Sequence, residues 1–425
     1  MKSRNNKKTQ NGIIIAVALM AVVFTSLLLV SAYLGIGIFS SGSSPRSNIA
    51  DSNAPAAPNH SGASTLPEQP KSASLTLSFF GDLLIHDSIF KAAKTGDTYD
   101  FTNQFSAIAP YFKNSDFVMG NLETTFAGKD AGYSNYPNFN CPEQLAGALR
   151  DVLKVDLIST VNNHSMDKRI AGLYKTLDFL DEYGVAHVGT YRSEEEAQEL
   201  FIKSVNGVRV CILAYTDSTN GIPVPSSASY AVNLTSKDKI KSDAERAAQA
   251  GADITVLFMH WGTEYTQTGV TAQRELSKWV FENTDISLIV GGHPHVVQPF
   301  EQMTVQKDGL DKLGSVVYSL GNFTGSQVIK NTDSGIIANI TLNYDFEKRA
   351  CEVDKMTYIP TYIDRNQGSS FHYRIVNINK AIADYEANSD SLITKTEYNR
   401  MKEIKNMYKT LIPKWCDIVV EDENI

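Results

Sequence analysis

Histidine, carboxylate and asparagine side chains recur in short clusters along the chain, and these residue types suit a metal site. Five of the eight histidines lie in the clusters. The clusters are Gly81-Asp82 with His86, Gly120-Asn121-Leu122-Glu123, Asn162-Asn163-His164, His260-Trp261-Gly262 with Glu264, Gly292-His293-Pro294-His295 and Gly321-Asn322. Each cluster alone has an ordinary explanation as a turn or a cap. Their joint occurrence indicates a metal centre.

The ligand types narrow the choice of ion. Carboxylate oxygen with neutral imidazole suits Mn²⁺, Fe or Zn²⁺, whereas the lack of a thiolate cluster argues against structural zinc. Asp82, Glu123 and Asn163, with three or four histidines, exceed what one ion needs. They predict two divalent ions about 3.5–4 Å apart, a pair that can activate water and clamp a phosphoryl group. His164 would remain free to stabilise charge or to protonate a leaving group.

Short apolar runs supply the elements that position these clusters. The runs are LTLSFF (75–80), DFVMG (116–120), DLISTV (156–161), RVCILAY (209–215), ITVLFM (254–259), ISLIV (286–290), SVVYSL (315–320) and GIIANITLNY (335–344). Such runs are typical of strands buried on both faces, and residues 172–183, 237–250 and 271–283 have helical patterns. The alternation predicts an α/β domain, in which ligands bind beyond the carboxyl ends of the strands.

The N-terminal residues predict a membrane anchor. Residues 13–39 are 27 consecutive residues without a charged side chain, more than the roughly 20 that span a bilayer. Basic residues precede the run, so residues 1–12 are expected in the cytoplasm and the C-terminal domain outside it. A cleaved signal peptide is the alternative, but its apolar region is usually about 7–15 residues long. Residues 40–74, rich in Ser, Pro and Ala, are expected to form a disordered tether.

Composition excludes several classes of protein. The 425 residues are 42% hydrophobic, so most of the chain can bury a core, and the net charge of −8 argues against nucleic acid as a partner. Four widely spaced cysteines without a CxxC pair exclude a zinc knuckle, although two disulfides remain possible. No basic stripe adjoins the clusters, so the ions themselves are expected to bind an anionic substrate.

The order Gly-Asp, Gly-Asn-x-Glu, Asn-His, His and Gly-His-x-His resembles the calcineurin-like metallophosphoesterase superfamily. More closely, the segments GDLLIH, GNLE, NNHSMD, HWGTEY, GGHPHVVQP and SLGNF resemble the CapA family of poly-γ-glutamate capsule synthesis proteins. The resemblance implies a four-layer sandwich of two mixed β-sheets flanked by helices. We expect this domain over residues 75–365, followed by a helical C-terminal extension over residues 366–425.

The resemblance also implies roles for the clustered residues. Asp82 and His295 would hold one ion, and Asn163, His260 and His293 the other, with Glu123 bridging where the wider superfamily has Asp. The first-motif histidine of the superfamily falls at Leu84, so His86 either ligates from two residues later or forms hydrogen bonds within its loop. Asp167 is expected to orient His164. Glu264 and Asn322 are expected to contact the substrate or the ligating histidines.

Three functional hypotheses remain open at this point. The first is a metal-dependent hydrolase at the cell membrane, acting in capsule polymer synthesis or export on a phosphoester or an amide. The second is a non-catalytic component of a capsule synthesis or export complex. The third is a metal-stabilised module that binds the anionic polymer. The nearly complete ligand set favours the first.

Overall fold

The apolar runs of the sequence form the strands of two β-sheets in a computed structural model of the chain. The structure describes residues 70–366 and 372–418, which belong to the unit Glu68–Ile425. The predicted cytoplasmic tail, the membrane anchor and most of the tether lie outside the described residues. Within those two ranges, no helix has the length and apolar character needed to cross a membrane.

The secondary structure alternates between strands and helices, as the sequence predicts. The strands are β1 (Ser72–Leu83), β2 (Lys94–Thr95), β3 (Thr98–Tyr99), β4 (Phe117–Asn121), β5 (Leu157–Ser159), β6 (His187–Val188), β7 (Ile202–Val205), β8 (Val208–Thr216), β9 (Ile254–His260), β10 (Leu288–Gly292), β11 (Phe300–Lys307), β12 (Leu310–Val317), β13 (Asn322–Thr324), β14 (Ser334–Asp345), β15 (Ala350–Asn366), β16 (His372–Asn377) and β17 (Asp417–Ile418). The α-helices are α1 (Asp87–Ala92), α2 (Thr102–Phe105), α3 (Gln144–Asp151), α4 (Arg169–Glu182), α5 (Glu194–Gln198), α6 (Lys237–Gln249), α7 (Thr271–Asn283), α8 (Ile378–Glu386) and α9 (Lys395–Leu411).

Both sheets are mixed. The first has the order β16-β15-β14-β1-β4-β5-β6, with β13 beside β1 and β17 beside β15. Within it β1, β4, β5 and β6 run parallel, whereas the pairings β1–β14, β14–β15 and β15–β16 are antiparallel. The second has the order β11-β12-β10-β9-β8-β7, in which β8, β9, β10 and β12 run parallel. The predicted α/β fold is therefore confirmed.

Apolar side chains form three cores. One lies between the two sheets, and each sheet has a further core on its outer face. Successive residues of a strand point to opposite faces. Phe79 accordingly joins the largest cluster, which also contains Phe258 of the second sheet. Phe80 joins a second cluster with residues of α1 to α3, and Leu257 joins a third with residues of α6 and α7. The layers therefore follow the order helices, sheet, sheet, helices.

The segment after residue 365 contains strands as well as helices. Strand β16 pairs with residues 361–366 of β15, and β17 pairs with Thr357 and Tyr358 of β15, so both strands extend the first sheet. Helix α9 buries Tyr398, Met401 and Ile404 in the core between the sheets, while Leu392 is exposed. The sequence of β16, HYRIVN, alternates polar and apolar residues over only its first four positions. Such a short pattern is a weak strand signal next to the long helical pattern that follows.

The four cysteines all lie within the described residues, and none of them forms a disulfide there. Cys141, Cys211 and Cys416 are buried. Burial raises the pKa of the Cys211 and Cys416 thiols to about 12. These three side chains therefore act as small apolar core residues rather than as nucleophiles.

Candidate metal centre

Strand ends from both sheets carry the predicted ligands. In the first sheet Asp82, near the end of β1, pairs across the sheet with Asn121 at the end of β4. In the second sheet His260, the last residue of β9, pairs with Gly292, the last residue of β10. Parallel strands end at the same edge of a sheet, so these two registers align the polar clusters. The segment His293-Pro294-His295 continues directly from β10 into this edge.

Two groups of potential ligands meet at Glu123. One group consists of Glu123, His260 and His293, and the other of Asp82, Glu123 and His295. Within each group the ligand atoms all lie within 4.8 Å of one another. Glu123 belongs to both groups, so it lies where the family resemblance predicts a shared carboxylate.

Asp82 is fully buried and held by three polar groups. Its Oδ1 accepts a hydrogen bond from the Asn121 side-chain amide at 2.8 Å, and its Oδ2 accepts one from the backbone N–H of His293 at 3.0 Å. The Nδ1 atom of His295 lies 3.6 Å from Oδ2. Burial would raise the pKa of Asp82, but pairing with His295 and the charge of His260 bring it to about 2. Asp82 is therefore a carboxylate at neutral pH.

Glu123 is fully buried, and neither of its carboxyl oxygens has a hydrogen-bond partner among the described residues. Burial raises the pKa of Glu123 to about 8, the charge of Asp82 adding to this and that of His295 opposing it. A buried carboxyl group without a partner costs about 1–3 kcal/mol or more. A divalent cation between the two ligand groups would satisfy both oxygens, so the residues present fit a metal centre.

His260 brings three electron-rich atoms together around one nitrogen. Its Nε2 lies 2.9 Å from Oδ1 of Asn163, 3.1 Å from Nδ1 of His293 and 3.4 Å from Oε1 of Glu123. One nitrogen carries at most one proton, so it cannot donate to all three atoms. Burial lowers the pKa of both His260 and His293 to about 3. Neutral imidazoles and an amide oxygen in this arrangement are the donor set expected for the second ion.

His295 is oriented from behind by Asn322. The His295 Nδ1–H donates to Asn322 Oδ1 at 3.0 Å, and the Asn322 amide donates in turn to Gln327 and to the backbone of Thr332. The Nε2 atom of His295 consequently faces Glu123, at 3.8 Å from Oε1. Burial would lower the pKa of His295, but attraction to Glu123 and Asp82 raises it to about 9. Asn322 thus makes the ligand contact predicted for it.

His164 forms a hydrogen-bonded pair with Asp167 beside the ligands. The His164 Nδ1–H donates to Asp167 Oδ2 at 2.7 Å, and both side chains are almost fully buried. The same carboxyl oxygen accepts from the backbone N–H of Phe139, whose ring packs edge-on against the imidazole. The Nε2 atom lies 3.5 Å from the Asn220 amide, which also contacts Asn163. The predicted orienting contact of Asp167 is present in the structure.

Two of the predicted site residues lie apart from both ligand groups. The Nδ1 atom of His86 is 3.0 Å from the carbonyl of Leu84 and 3.2 Å from the backbone N–H of Ser326. Burial lowers the pKa of His86 to about 4. One ring nitrogen either donates to the carbonyl or accepts from the N–H, so Nδ1 makes one hydrogen bond to backbone, the second of the two roles left open by the spacing of His86. Glu264 is exposed, and its charge acts on His293 and His295 from the rim.

Two asparagines within the quoted motifs have roles that the sequence did not assign. The side-chain amide of Asn121 donates to Asp82 and lies 3.2 Å from Nδ1 of His260, so it joins ligands from both sheets. Asn162 donates to Oδ1 of Asn121 at 3.2 Å and accepts from the backbone N–H of His164 at 3.0 Å. The sequence motifs assign metal binding to the residues beside these two asparagines. Only the register between strands shows that the two amides connect the ligands.

The backbone around β10 is shaped for the centre. A Cβ atom on Gly292 would lie 2.5 Å from Oδ1 of Asp82, closer than real Cβ contacts allow. His293 and His295 have φ values of 96° and 58°, which non-glycine residues seldom adopt. Such strain persists where the surrounding contacts impose it, and it concentrates at functional sites.

Residues 76–327, more than half of the chain, match the family described as bacterial capsule synthesis protein PGA_cap. The chain belongs to this family. The capsule biosynthesis protein CapA of Bacillus anthracis is 28% identical over 273 residues, which are 62% of this chain and 63% of that protein. The PGA biosynthesis protein CapA of Bacillus subtilis (strain 168) is 27% identical over 274 residues, 62% of this chain and 67% of that protein. The chain thus matches just under two thirds of the length of the B. anthracis relative.

Several solved structures resemble the fold at low sequence identity. The NAD nucleotidase NadN of Haemophilus influenzae has a TM-score of 0.44 and 13% identity, over 83% of this chain and 58% of that chain. The 5′-nucleotidase precursor of Thermus thermophilus has a TM-score of 0.43 and 14% identity, over 80% and 59%. The calcineurin-like phosphoesterase YfkN of Bacillus subtilis has a TM-score of 0.41 and 12% identity, over 80% and 99%.

Proposed function

We propose that this capsule synthesis family member is a membrane-anchored hydrolase that uses two divalent ions at the centre around Glu123. Its proposed role is in the synthesis or export of an anionic capsule polymer of the poly-γ-glutamate type. The observation that carries the proposal is the buried Glu123 carboxyl group, which has no hydrogen-bond partner among the described residues and belongs to both ligand groups. The names of the Bacillus relatives support the polymer class, and the 27-residue apolar run supports the anchor.

The described residues divide into two sets of ligands. Asp82 and His295 would hold one ion, and Asn163, His260 and His293 the other, with Glu123 shared. Mn²⁺, Fe and Zn²⁺ all suit this mixture of carboxylate, amide and imidazole donors. When bound, such a pair supplies a hydroxide nucleophile at neutral pH and Lewis-acid stabilisation of charge on oxygen.

His164 is the residue best placed to move a proton. Its Nδ1–H is fixed by Asp167, so Nε2 is the atom that can take up or release a proton. Asn220 contacts this Nε2 atom and also the side chain of the proposed ligand Asn163. Asp167 fixes the orientation of the imidazole, and the Phe139 ring packs edge-on against it. His164 can therefore protonate the leaving group of a phosphoester or amide substrate.

Metal stoichiometry tests the proposal directly. The full-length chain, purified in mild detergent without chelator or polyhistidine tag, would be analysed by elemental mass spectrometry. We expect about two ions per chain. His293→Ala is expected to lose at least one ion, whereas His187→Ala is a matched control because His187 pairs with Asp181 outside the centre. If the chain holds no ion even after incubation with Mn²⁺, Fe²⁺ or Zn²⁺, the metal centre is wrong.

Activity then separates the enzyme from the scaffold. Metal-loaded protein would be assayed with phosphoesters and with γ-glutamyl amides, and His164→Ala serves as the chemical control. Turnover that depends on both the ions and His164 supports the hydrolase. Two bound ions without turnover on either substrate class would contradict the hydrolase and favour a non-catalytic role in a capsule complex.

A further inference from the structure

A small basic cavity lies beside the metal centre, and the proposed mechanism does not use it. Its volume is about 180 Å³, and its lining includes the loop 327–331, Asp333, Arg365 and Arg400. The loop contributes one more cation, Lys330. Asp333 is already engaged, because both of its oxygens accept hydrogen bonds from Arg400 at 2.8 Å. The cavity therefore carries an excess of positive charge.

Arg365 and Lys330 provide that excess. In the described part of the chain, no carboxylate lies within ion-pairing distance of either side chain. Arg365 is half-buried, and its Nη1 and Nη2 donate to the backbone carbonyls of Gly325 and Gln327 at 3.3 and 2.9 Å. These bonds orient the guanidinium group but do not neutralise it. Three of its five N–H donors remain for a ligand.

The strand directions bring Arg365 to the edge that holds the metal centre. Strand β14 is antiparallel to β1, and β15 is antiparallel to β14, so β15 runs in the same direction as β1. Arg365 lies one residue from the end of β15, as Asp82 lies one residue from the end of β1. Both residues are thus at the carboxyl edge of the first sheet.

The loop that Arg365 holds also touches the metal centre. The Gln327 side chain accepts a hydrogen bond from Asn322 at 2.8 Å, and Asn322 orients the ligand His295. The backbone N–H of Ser326, one residue earlier, contacts His86. Gln327 therefore connects the guanidinium group, through Asn322, to the ligand His295.

We propose that Arg365, assisted by Lys330, forms an anion-binding subsite that holds an acidic group of the substrate beside the metal centre. The group is an oxyanion, either a carboxylate of an anionic polymer or a phosphate, because a guanidinium fork binds both. The positioning role rests on the proposed function, whereas binding of the anion does not require the ions. The subsite supplies the basic group that the sequence near the motifs lacks.

Equilibrium binding to the full-length chain in detergent and EDTA tests the subsite without metal. The two probes are a γ-linked glutamate trimer and inorganic phosphate, titrated by calorimetry. Arg365→Gln is expected to weaken binding of the preferred probe about 10-fold or more, because it removes charge-assisted hydrogen bonds. Lys330→Gln, which leaves the loop 325–327 in place, is expected to weaken it about two- to five-fold. Added salt is expected to weaken wild-type binding more than Arg365→Gln binding.

The matched control is Lys355→Gln, an exposed lysine on the same strand. It lies ten residues from Arg365, about 33 Å along β15, and removes the same unit of charge. We expect less than a two-fold change. Tighter binding of the trimer would identify the bound group as a carboxylate of a polymer, and tighter binding of phosphate would identify it as a phosphate. Either outcome supports the subsite if Arg365→Gln weakens that binding. Absence of wild-type binding to both probes, or equal binding by wild type, Arg365→Gln and Lys330→Gln, would overturn the proposal whatever the metal content.

Discussion

Replacing Glu123 by glutamine tests how much stability the buried carboxyl group costs the metal-free protein. The carboxyl group has a pKa raised from 4.5 to about 8 by burial. A folded-state pKa above the unfolded value means that folding binds a proton. The contribution of Glu123 to the free energy of unfolding is therefore highest below pH 4.5 and falls as the pH rises towards 8. A neutral glutamine of the same shape does not have this dependence.

The magnitude follows from the size of the pKa shift. A pH of 7.5 lies about 3 units above the pKa of the unfolded carboxyl group, which corresponds to about 4 kcal/mol at about 1.4 kcal/mol per unit. Glutamine is itself a buried polar group, and its loss of charge removes an attraction to His295. We therefore expect metal-free Glu123→Gln to exceed the wild type in free energy of unfolding by about 2–4 kcal/mol at pH 7.5. The difference should shrink as the pH falls to about 5.

Urea unfolding of the full-length chain in detergent and EDTA measures this difference, followed by tryptophan fluorescence, to which the buried Trp261 contributes. The order should reverse with metal, since ions at about 100 times their dissociation constant stabilise the wild type by about 2.7 kcal/mol each. The variant lacks the shared carboxylate and should gain less. Glu275→Gln, at an exposed glutamate of α7 outside the predicted site residues, is the control and should match the wild type. If Glu123→Gln is the less stable protein in EDTA at pH 7.5, with no change between pH 5 and 7.5, the carboxyl group has a protein partner and our reasoning fails.

Three more outcomes follow from the geometry. Metal uptake at pH 7 should release about two protons per chain, and metal affinity should rise with pH. The reason is that Glu123 and His295 have pKa values raised to about 8 and 9 and must lose protons to bind an ion. Calorimetry in buffers of different ionisation enthalpy measures the proton release, and zero release contradicts the prediction. Asp167→Asn should lower kcat about 10- to 100-fold with unchanged metal content, because it removes the carboxylate that orients His164; an unchanged kcat would remove His164 from the mechanism. Gly292→Ala should cost about 1–3 kcal/mol of stability and at least one ion, since the new Cβ displaces the carboxylate near the end of β1; full metal content by elemental analysis would show that the contact relaxes.

Much of the centre could be predicted because its residues lie at the ends of strands that the sequence marks clearly. The run ITVLFM is buried on both faces, so it is typical of a strand, and His260 follows it directly. Asp82 similarly follows LTLSFF after the single residue Gly81. Parallel strands then bring such residues together without further information. Glu123 lies in both groups of potential ligands, and the bridging role that the family resemblance implies for it stays a prediction.

Other features depend on distances that no local pattern encodes. Asn121 contacts His260 across 139 positions of sequence, and Arg365 reaches the carbonyls of residues 325 and 327 across 40 and 38 positions. Both contacts depend on register between strands of different hairpins or sheets. Arg365 also lies between Asp364 and Asn366 near the end of a long strand, and a polar residue at such a position gives no signal of its own. The basic subsite therefore emerges only from the assembled sheet.

The charges of the centre explain how it can fold before it binds ions. Near neutral pH the pKa shifts leave Asp82 negative, His295 positive and Glu123 largely neutral, while His260 and His293 are also neutral. The five buried groups thus sum to about zero charge, and the ion pair of Asp82 and His295 is partly compensated by hydrogen bonds. A metal-free centre of this kind costs stability mainly at Glu123. We expect the domain to fold on its apolar cores first, and to exchange two protons for the ions afterwards.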